Sequence, residues 1–227
     1  MDRLLNRINE AAMAADRIIN MVECAGFDIT DPNSIINYAN YSNIPEGMQY
    51  AYGASRIAIW DEYYYDYVIK IALDEKYEKY CQHEVEVYEA AIKEGLADSF
   101  AWCMCYAEPQ YDDEGNYKVP GIYVMEYVDC NEDEVSDAAW TYGYKQYCSA
   151  NGLDSSNYDS ADEYNDWNEG ENEGQILDYM ESLMTSDYRR IFEVFMCKWW
   201  ITDIHEQNVA LKPDGNMVII DYAGWNW

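Results

Sequence analysis

The sequence predicts an α+β fold, and three features carry that prediction. An amphipathic helix pattern opens the chain, short apolar β-type runs broken by one helical stretch follow, and two further helical patterns lead into a closing β-hairpin. The hairpin region is the most informative. Trp200 to Gly224 reads WITDIHEQNVALKPDGNMVIIDYAG, which sets Asp203 and Asn208 in a D-x4-N spacing and puts Asp221 at the end of an apolar run. Two acids and an amide at these intervals suit metal-assisted phosphoryl transfer: Asp203 orients an attacking hydroxyl, while Asn208 and Asp221 hold Mg²⁺ against nucleotide phosphates. The plainer alternative is an ordinary hairpin whose three polar residues fall at strand ends.

Each element has its own warrant. Leu4, Leu5, Ile8, Ala11, Ala12, Ala15, Ile18, Ile19 and Val22 line one broad helical face, and Gly26 suits the stop position. This helix is expected to pack on the following sheet, with partner binding or dimerisation as the alternative. Asp31-Pro32 and Ile44-Pro45-Glu46-Gly47 break Asp28 to Gly47 into a connector. Ala51 to Leu73 is a glycine-containing turn followed by two β-rich runs, the second ending in V-I-K at Lys70, and DEYYYDYV within it reads as a strand pair with alternate tyrosines exposed. Lys76 to Leu96 has helical apolar spacing and offers Glu84, or Glu86 on the opposite side, as a partner for a lysine; His83 is expected on its surface. Strands are expected over Ser99 to Ala107 and Gly121 to Val128, joined by the polar loop PQYDDEGNYKVP. Gln175 to Met184 and Tyr188 to Trp200 read as helices, the second expected to be long and buried. Pro213-Asp214-Gly215-Asn216 is the hairpin turn, and Met217 to Ile220 is a buried strand that delivers Asp221.

The ordered set V-I-K, E-V-E-V-Y, V-M-E-Y-V, D-I-H-x-x-N and I-I-D-Y-A resembles the protein-kinase-like superfamily over roughly Gly53 to Gly224. It looks closest to the small early protein kinases of lytic bacteriophages, and the D-x-H-x-x-N form is nearer aminoglycoside- and choline-kinase-like members than H-R-D kinases. The resemblance implies a two-lobed fold with a minimal C-lobe and an N-terminal helical extension. Residues 1–47 would be the extension and connector, 48–129 an N-lobe, and 130–227 the C-lobe with an acidic insert at 146–187. It also implies that Lys70, held by Glu84, contacts the α/β-phosphates of ATP, that Gly53 and Ser55 belong to the phosphate loop, and that Asp203 is catalytic with Asn208 and Asp221 on Mg²⁺. Met125 would form the back wall of the adenine pocket, and Glu126, Tyr127 and Val128 the hinge. The departures are specific. Ile201-Thr202 replaces His-Arg, one glycine stands where three are usual, and Ala223 occupies the place of the D-F-G glycine. Only six residues follow Asp221, so an activation segment and peptide-docking helices are expected to be absent.

Composition bounds the partners. The 44 acidic and 14 basic residues give a net charge of −30 over 227 residues, which disfavours direct nucleic-acid binding and favours partners with basic surfaces. Under the resemblance the activity is phosphorylation of Ser/Thr on a host protein such as a polymerase, nuclease or defence complex. The competing reading is a kinase-like inhibitor whose acids mimic nucleic acid. Gln146 to Asp187 lacks Lys and Arg and reads either as a solvated insert or as that mimic. Arg189, Arg190 and Lys198 are expected to neutralise nearby carboxylates. The 24 tyrosines and 8 tryptophans suit both a core and an adhesive surface. Seven cysteines without a C-x-x-C pair are expected as free thiols in a reducing cytoplasm, with Cys103 and Cys105 on one strand face. Neither a signal peptide nor a membrane-spanning stretch is evident.

Overall fold

A computed structural model describes residues 2–63, 66–156, 161, 164–165, 172–212 and 214–222. The α+β class expected from the sequence is what the chain adopts. It forms two compact units, the first made of residues 1–90 and 101–127, the second of residues 91–100 and 128–227.

In the first unit a five-stranded antiparallel sheet runs in the order β1 (Met48–Tyr52), β2 (Arg56–Asp61), β3 (Tyr67–Ala72), β7 (Ile122–Glu126), β4 (Cys103–Ala107). Helix α1 (Asp2–Cys24) buries Ala11, Ala15, Ile18 and Val22 in the first unit and touches β2, β3 and β7. Helix α3 (Glu75–Glu94) packs Cys81 with Ala72 and Tyr123. With partners on both faces, β3 is buried at every position except Lys70, as expected for a strand covered on both sides. Period-two alternation puts Lys70 on the face of Val68 and Ala72, so it points to the α3 side.

Several expectations change. The connector contains helix α2 (Pro32–Ala39), because Asp31 accepts the Asn33 N–H and Pro32 is preset for a first helical turn. The segment expected as one strand from Ser99 divides: Ala97–Ser99 is a 3₁₀ turn, Phe100 bridges Ile219 in the second unit, and β4 begins only at Cys103. The polar loop contains a small hairpin, β5 (Gln110–Tyr111) with β6 (Tyr117–Val119), whose turn is organised by Asp112 accepting from Glu114, Asn116 and Lys118. The expected DEYYYD strand pair is mostly a turn: β2 stops at Asp61, Tyr63 is exposed, and β3 starts at Tyr67. Tyr64 and Tyr65 lie outside the described residues. His83 is buried rather than on the surface, because α3 is covered over a wide arc that includes Glu78, Cys81, Glu84, Val87 and Tyr88.

In the second unit, helix α4 (Glu132–Asn151) is capped by Asn131 and closed by Gly152, and it packs on α5 (Asn172–Ser182). Much of the acidic stretch between these helices lies outside the described residues. Helix α6 (Ser186–Trp199) is amphipathic rather than wholly buried. Its Phe192 and Phe195 are enclosed, while Ile191 and Val194 face solvent. Phe100 joins Phe192, Phe195 and Tyr222 in an aromatic core, with ring centroids 6.2, 5.5 and 5.2 Å away. Arg189 pairs with Glu181 and Glu193, and Lys198 with Glu94 at 2.9 Å. All seven thiols are free. No helix among the described residues is long and apolar enough to cross a membrane.

Candidate active site

The first unit assembles the lysine set. Lys70 on β3 lies opposite Ala58 on β2 and Tyr123 on β7. Its Nζ donates to both carboxylate oxygens of Glu84, at 3.1 and 3.3 Å. Glu84 is 2% exposed, whereas the side chain of Glu86 is 68% exposed and lies 3.9 Å from His83 Nδ1, so the helix presents Glu84 to the sheet. A strand lysine held by a helix glutamate is the pairing that sets phosphates in kinase-type phosphoryl transfer. Sequence reasoning missed a third member, Arg56. Its Nη1 lies 2.9 Å from Glu84 Oε1, close enough for an ion pair though not aligned as a hydrogen bond. Cys81 packs beside the set, and burial pushes its thiol up to about 12 against the opposing pull of Arg56 and Lys70.

Gly53 and Ser55 lie in the β1–β2 turn. The Gly53 N–H donates to the Arg56 carbonyl at 2.9 Å, and the Ser55 carbonyl accepts the Leu73 N–H at 3.0 Å. Met125 is 2% exposed and lies between Val68 and Cys103 in the sheet. The backbone N–H groups of Glu126 and Tyr127 are committed to the carbonyls of Trp102 (2.7 Å) and Asp66 (3.0 Å). The Glu126 carboxylate accepts from Arg7 and from the Trp102 N–H. Neither of these two amides is therefore available to donate to a base.

The second unit assembles the acid–amide set. Strand β8 (Val209–Leu211) pairs with β9 (Met217–Ile219) across a tight turn. There Gly215 takes φ +85, a conformation that disfavours side chains, and its N–H meets the Lys212 carbonyl. Pro213 lies outside the described residues. The Ile220 N–H donates to the Asn208 carbonyl at 2.8 Å, extending the ladder and carrying Asp221 to the Asn208 end of the hairpin. The next residue, Tyr222, is 1% exposed in the Phe100 core and anchors the chain on the far side of Asp221. Ala223 and Gly224 lie outside the described residues.

Asn208 Nδ2 donates to the Asp203 carbonyl at 3.0 Å and to Asp203 Oδ2 at 3.1 Å, which fixes the loop between them. It also lies 2.9 Å from His205 Nε2, a contact whose character depends on the tautomer. The Gln207 N–H donates to His205 Nδ1 at 3.2 Å. The same His205 Nε2 lies 3.5 Å from Asp203 Oδ1. His205 is thus a loop-organising residue beside Asp203. Cys130 donates to the carbonyls of Glu206 and Val209, tying the same loop to the segment before α4.

No group of three or more His, Cys, Asp or Glu that could hold a metal occurs among the described residues. Asn208 and Asp221 supply hard oxygen donors suited to Mg²⁺, which keeps several waters and draws further ligands from substrate phosphates. The donor chemistry fits that ion.

No protein-family profile matches the chain, and no curated protein matches it. Among solved structures it is similar to the aminoglycoside phosphotransferase APH(2″)-IIa, determined as a ternary complex with streptomycin and ATP. That likeness has 12% identity and a TM-score of 0.37, and covers 85% of this chain and 70% of the other.

Proposed function

We propose that the protein is a kinase-type phosphotransferase that uses ATP and Mg²⁺ and transfers the γ-phosphoryl group to a Ser or Thr hydroxyl of a protein partner. The observation that carries this reading is the Lys70–Glu84 pair between β3 and α3, at 3.1 and 3.3 Å, in which Glu84 is buried and Lys70 part-buried. A largely desolvated lysine–carboxylate pair costs desolvation that an apolar pair would not, so its presence supports a functional demand. The Asp203–Asn208 network and the anchored Asp221 add the remaining groups the reaction needs. In this reading Asp203 accepts the proton of the acceptor hydroxyl as its oxygen bonds to the γ-phosphorus. The bond from that phosphorus to the β-bridging oxygen breaks, and ADP leaves with the electron pair. Lys70 steadies the α/β-phosphates, and Glu84 holds Lys70. Asn208 and Asp221 would hold Mg²⁺, which would supply charge neutralisation at the phosphates.

The net charge of −30 supports an acceptor with a basic surface, as a host polymerase, nuclease or defence complex would offer if the protein is phage-encoded. The same charge supports a second reading, in which the protein binds and blocks such a partner without chemistry. Incubation with γ-labelled ATP, Mg²⁺ and basic acceptor proteins separates the two. The phosphotransferase reading expects label on Ser or Thr with wild type and at least ~100-fold less with Asp203→Asn, the scale of a lost catalytic base. Partner binding without label transfer, unchanged by Asp203→Asn, would leave the blocking reading instead.

A further inference from the structure

We propose that Arg56 is a phosphate-holding residue and that its guanidinium does work that backbone amides do in a glycine-rich phosphate loop. The inference rests on the phosphotransferase reading and deepens it. Three observations on the β1–β2 turn carry it.

The first is that the turn is closed on itself. The Gly53 N–H, which could otherwise point at an anion, donates to the Arg56 carbonyl at 2.9 Å. Ser55 is 8% exposed, and its carbonyl is tied to the Leu73 N–H at 3.0 Å. A phosphate nest needs several amides directed outward, and this turn directs one of its own inward. The second is the sheet register. Arg56 lies opposite Ala72 and Lys70 opposite Ala58, and directly opposed residues of an antiparallel pair share a face. Arg56 and Lys70 are therefore diagonal neighbours on the α3 side. The third is their common carboxylate: Arg56 Nη1 and Lys70 Nζ approach the same Glu84 oxygen, at 2.9 and 3.1 Å. Both side chains remain slightly open, at 12% and 13% exposure.

A lysine offers a point charge, whereas a guanidinium offers a planar fork that matches two phosphate oxygens at once. Placed where the turn meets β2, Arg56 brings that fork to the same Glu84 oxygen as the Lys70 ammonium, which the proposed function assigns to the α/β-phosphates. The ligand class is the polyphosphate of a nucleoside triphosphate, and adenosine alone should be indifferent to Arg56.

Calorimetric affinities for ATP and adenosine, with Mg²⁺, test this on wild type, Arg56→Gln and Arg56→Lys. Arg56→Gln should weaken ATP by about tenfold or more, the scale of one lost charge-assisted contact, and adenosine by less than about twofold. Arg56→Lys should recover part of the ATP affinity, and it provides the comparison if the glutamine variant does not fold. Equal weakening of ATP and adenosine, or unchanged ATP affinity, would overturn the inference while leaving the phosphotransferase reading intact. Absence of ATP binding by the wild type would overturn both.

Discussion

Glu84 shows how far a single residue could be read in advance. The sequence offered Glu84 as the lysine's partner with Glu86 as the alternative, since both lie on one helix and either could answer a lysine. The deciding information is which side of α3 is covered, and that depends on packing rather than local pattern. Arg56 was invisible for a related reason: its meeting with Glu84 depends on the β2–β3 register, a long-range property. Glu78 is another buried carboxylate, one with a structural task. It accepts from the Tyr117 hydroxyl (2.5 Å), the Gly121 N–H (2.8 Å) and the Tyr123 hydroxyl (3.1 Å), joining α3 to β6 and β7. Glu78→Ala leaves these donors without their acceptor and is expected to lower stability by about 3 kcal/mol or more, while Glu78→Gln, which keeps one acceptor oxygen, should cost less. Urea unfolding midpoints check this, and equal midpoints for wild type and Glu78→Ala would remove the clamp from the account.

At the scale of elements, strong local signals were legible and weak ones were not. Helix α1 announced itself through apolar residues at helical spacing, and the β8–β9 hairpin through its turn residues. Helix α4 did not, because its buried residues, Val135, Ala139, Tyr144 and Cys148, depart from an even repeat and Gly143 interrupts the run. That glycine has a packing reason: a Cβ there would collide with the Tyr164 hydroxyl, which accepts from Gln175 at 2.8 Å. The small β5–β6 hairpin was hidden by polar composition, since its order comes from Asp112 hydrogen bonds rather than from apolar alternation. Helix α6 ends with Trp200 in the left-handed region at φ +54, although it is 60% exposed. Left-handed backbone costs a side-chain-bearing residue about 1–2 kcal/mol, so Trp200→Gly is expected to stabilise the protein by up to that amount. A lower thermal midpoint for that variant would mean that the indole makes a contact worth more than the relieved strain.

For the whole molecule, charge and buried thiols set the response to solution conditions. With a net charge of −30, self-repulsion opposes compaction, so the thermal midpoint should rise as salt shortens the screening length from about 30 Å at 0.01 M to about 3 Å at 1 M. An unchanged midpoint would mean that the carboxylates are already compensated. High pH acts in the opposite direction. Burial pushes Cys81 and Cys105 up to about 12 from 9.0, and Tyr38 up to about 12 from 10.0. Once pH passes 9 the unfolded chain sheds these protons while the folded chain keeps them, so the folded state binds more protons and stability falls as pH rises. The loss should run from pH 9 to about 12, and Cys81→Ala should flatten part of the slope in denaturant midpoints measured across that window.

The proposed function requires that the Lys70–Glu84 pair and the Asp203–Asn208–Asp221 hairpin both act in phosphoryl transfer. Single-turnover loss of the γ-phosphate from ATP, with Mg²⁺ and a basic acceptor protein, tests it directly on wild type, Lys70→Ala and Asp221→Ala. The account predicts transfer by the wild type and a fall of about 100-fold or more in each variant, the scale of a lost transition-state contact. Equal rates in all three proteins, or no transfer by the wild type, would contradict it.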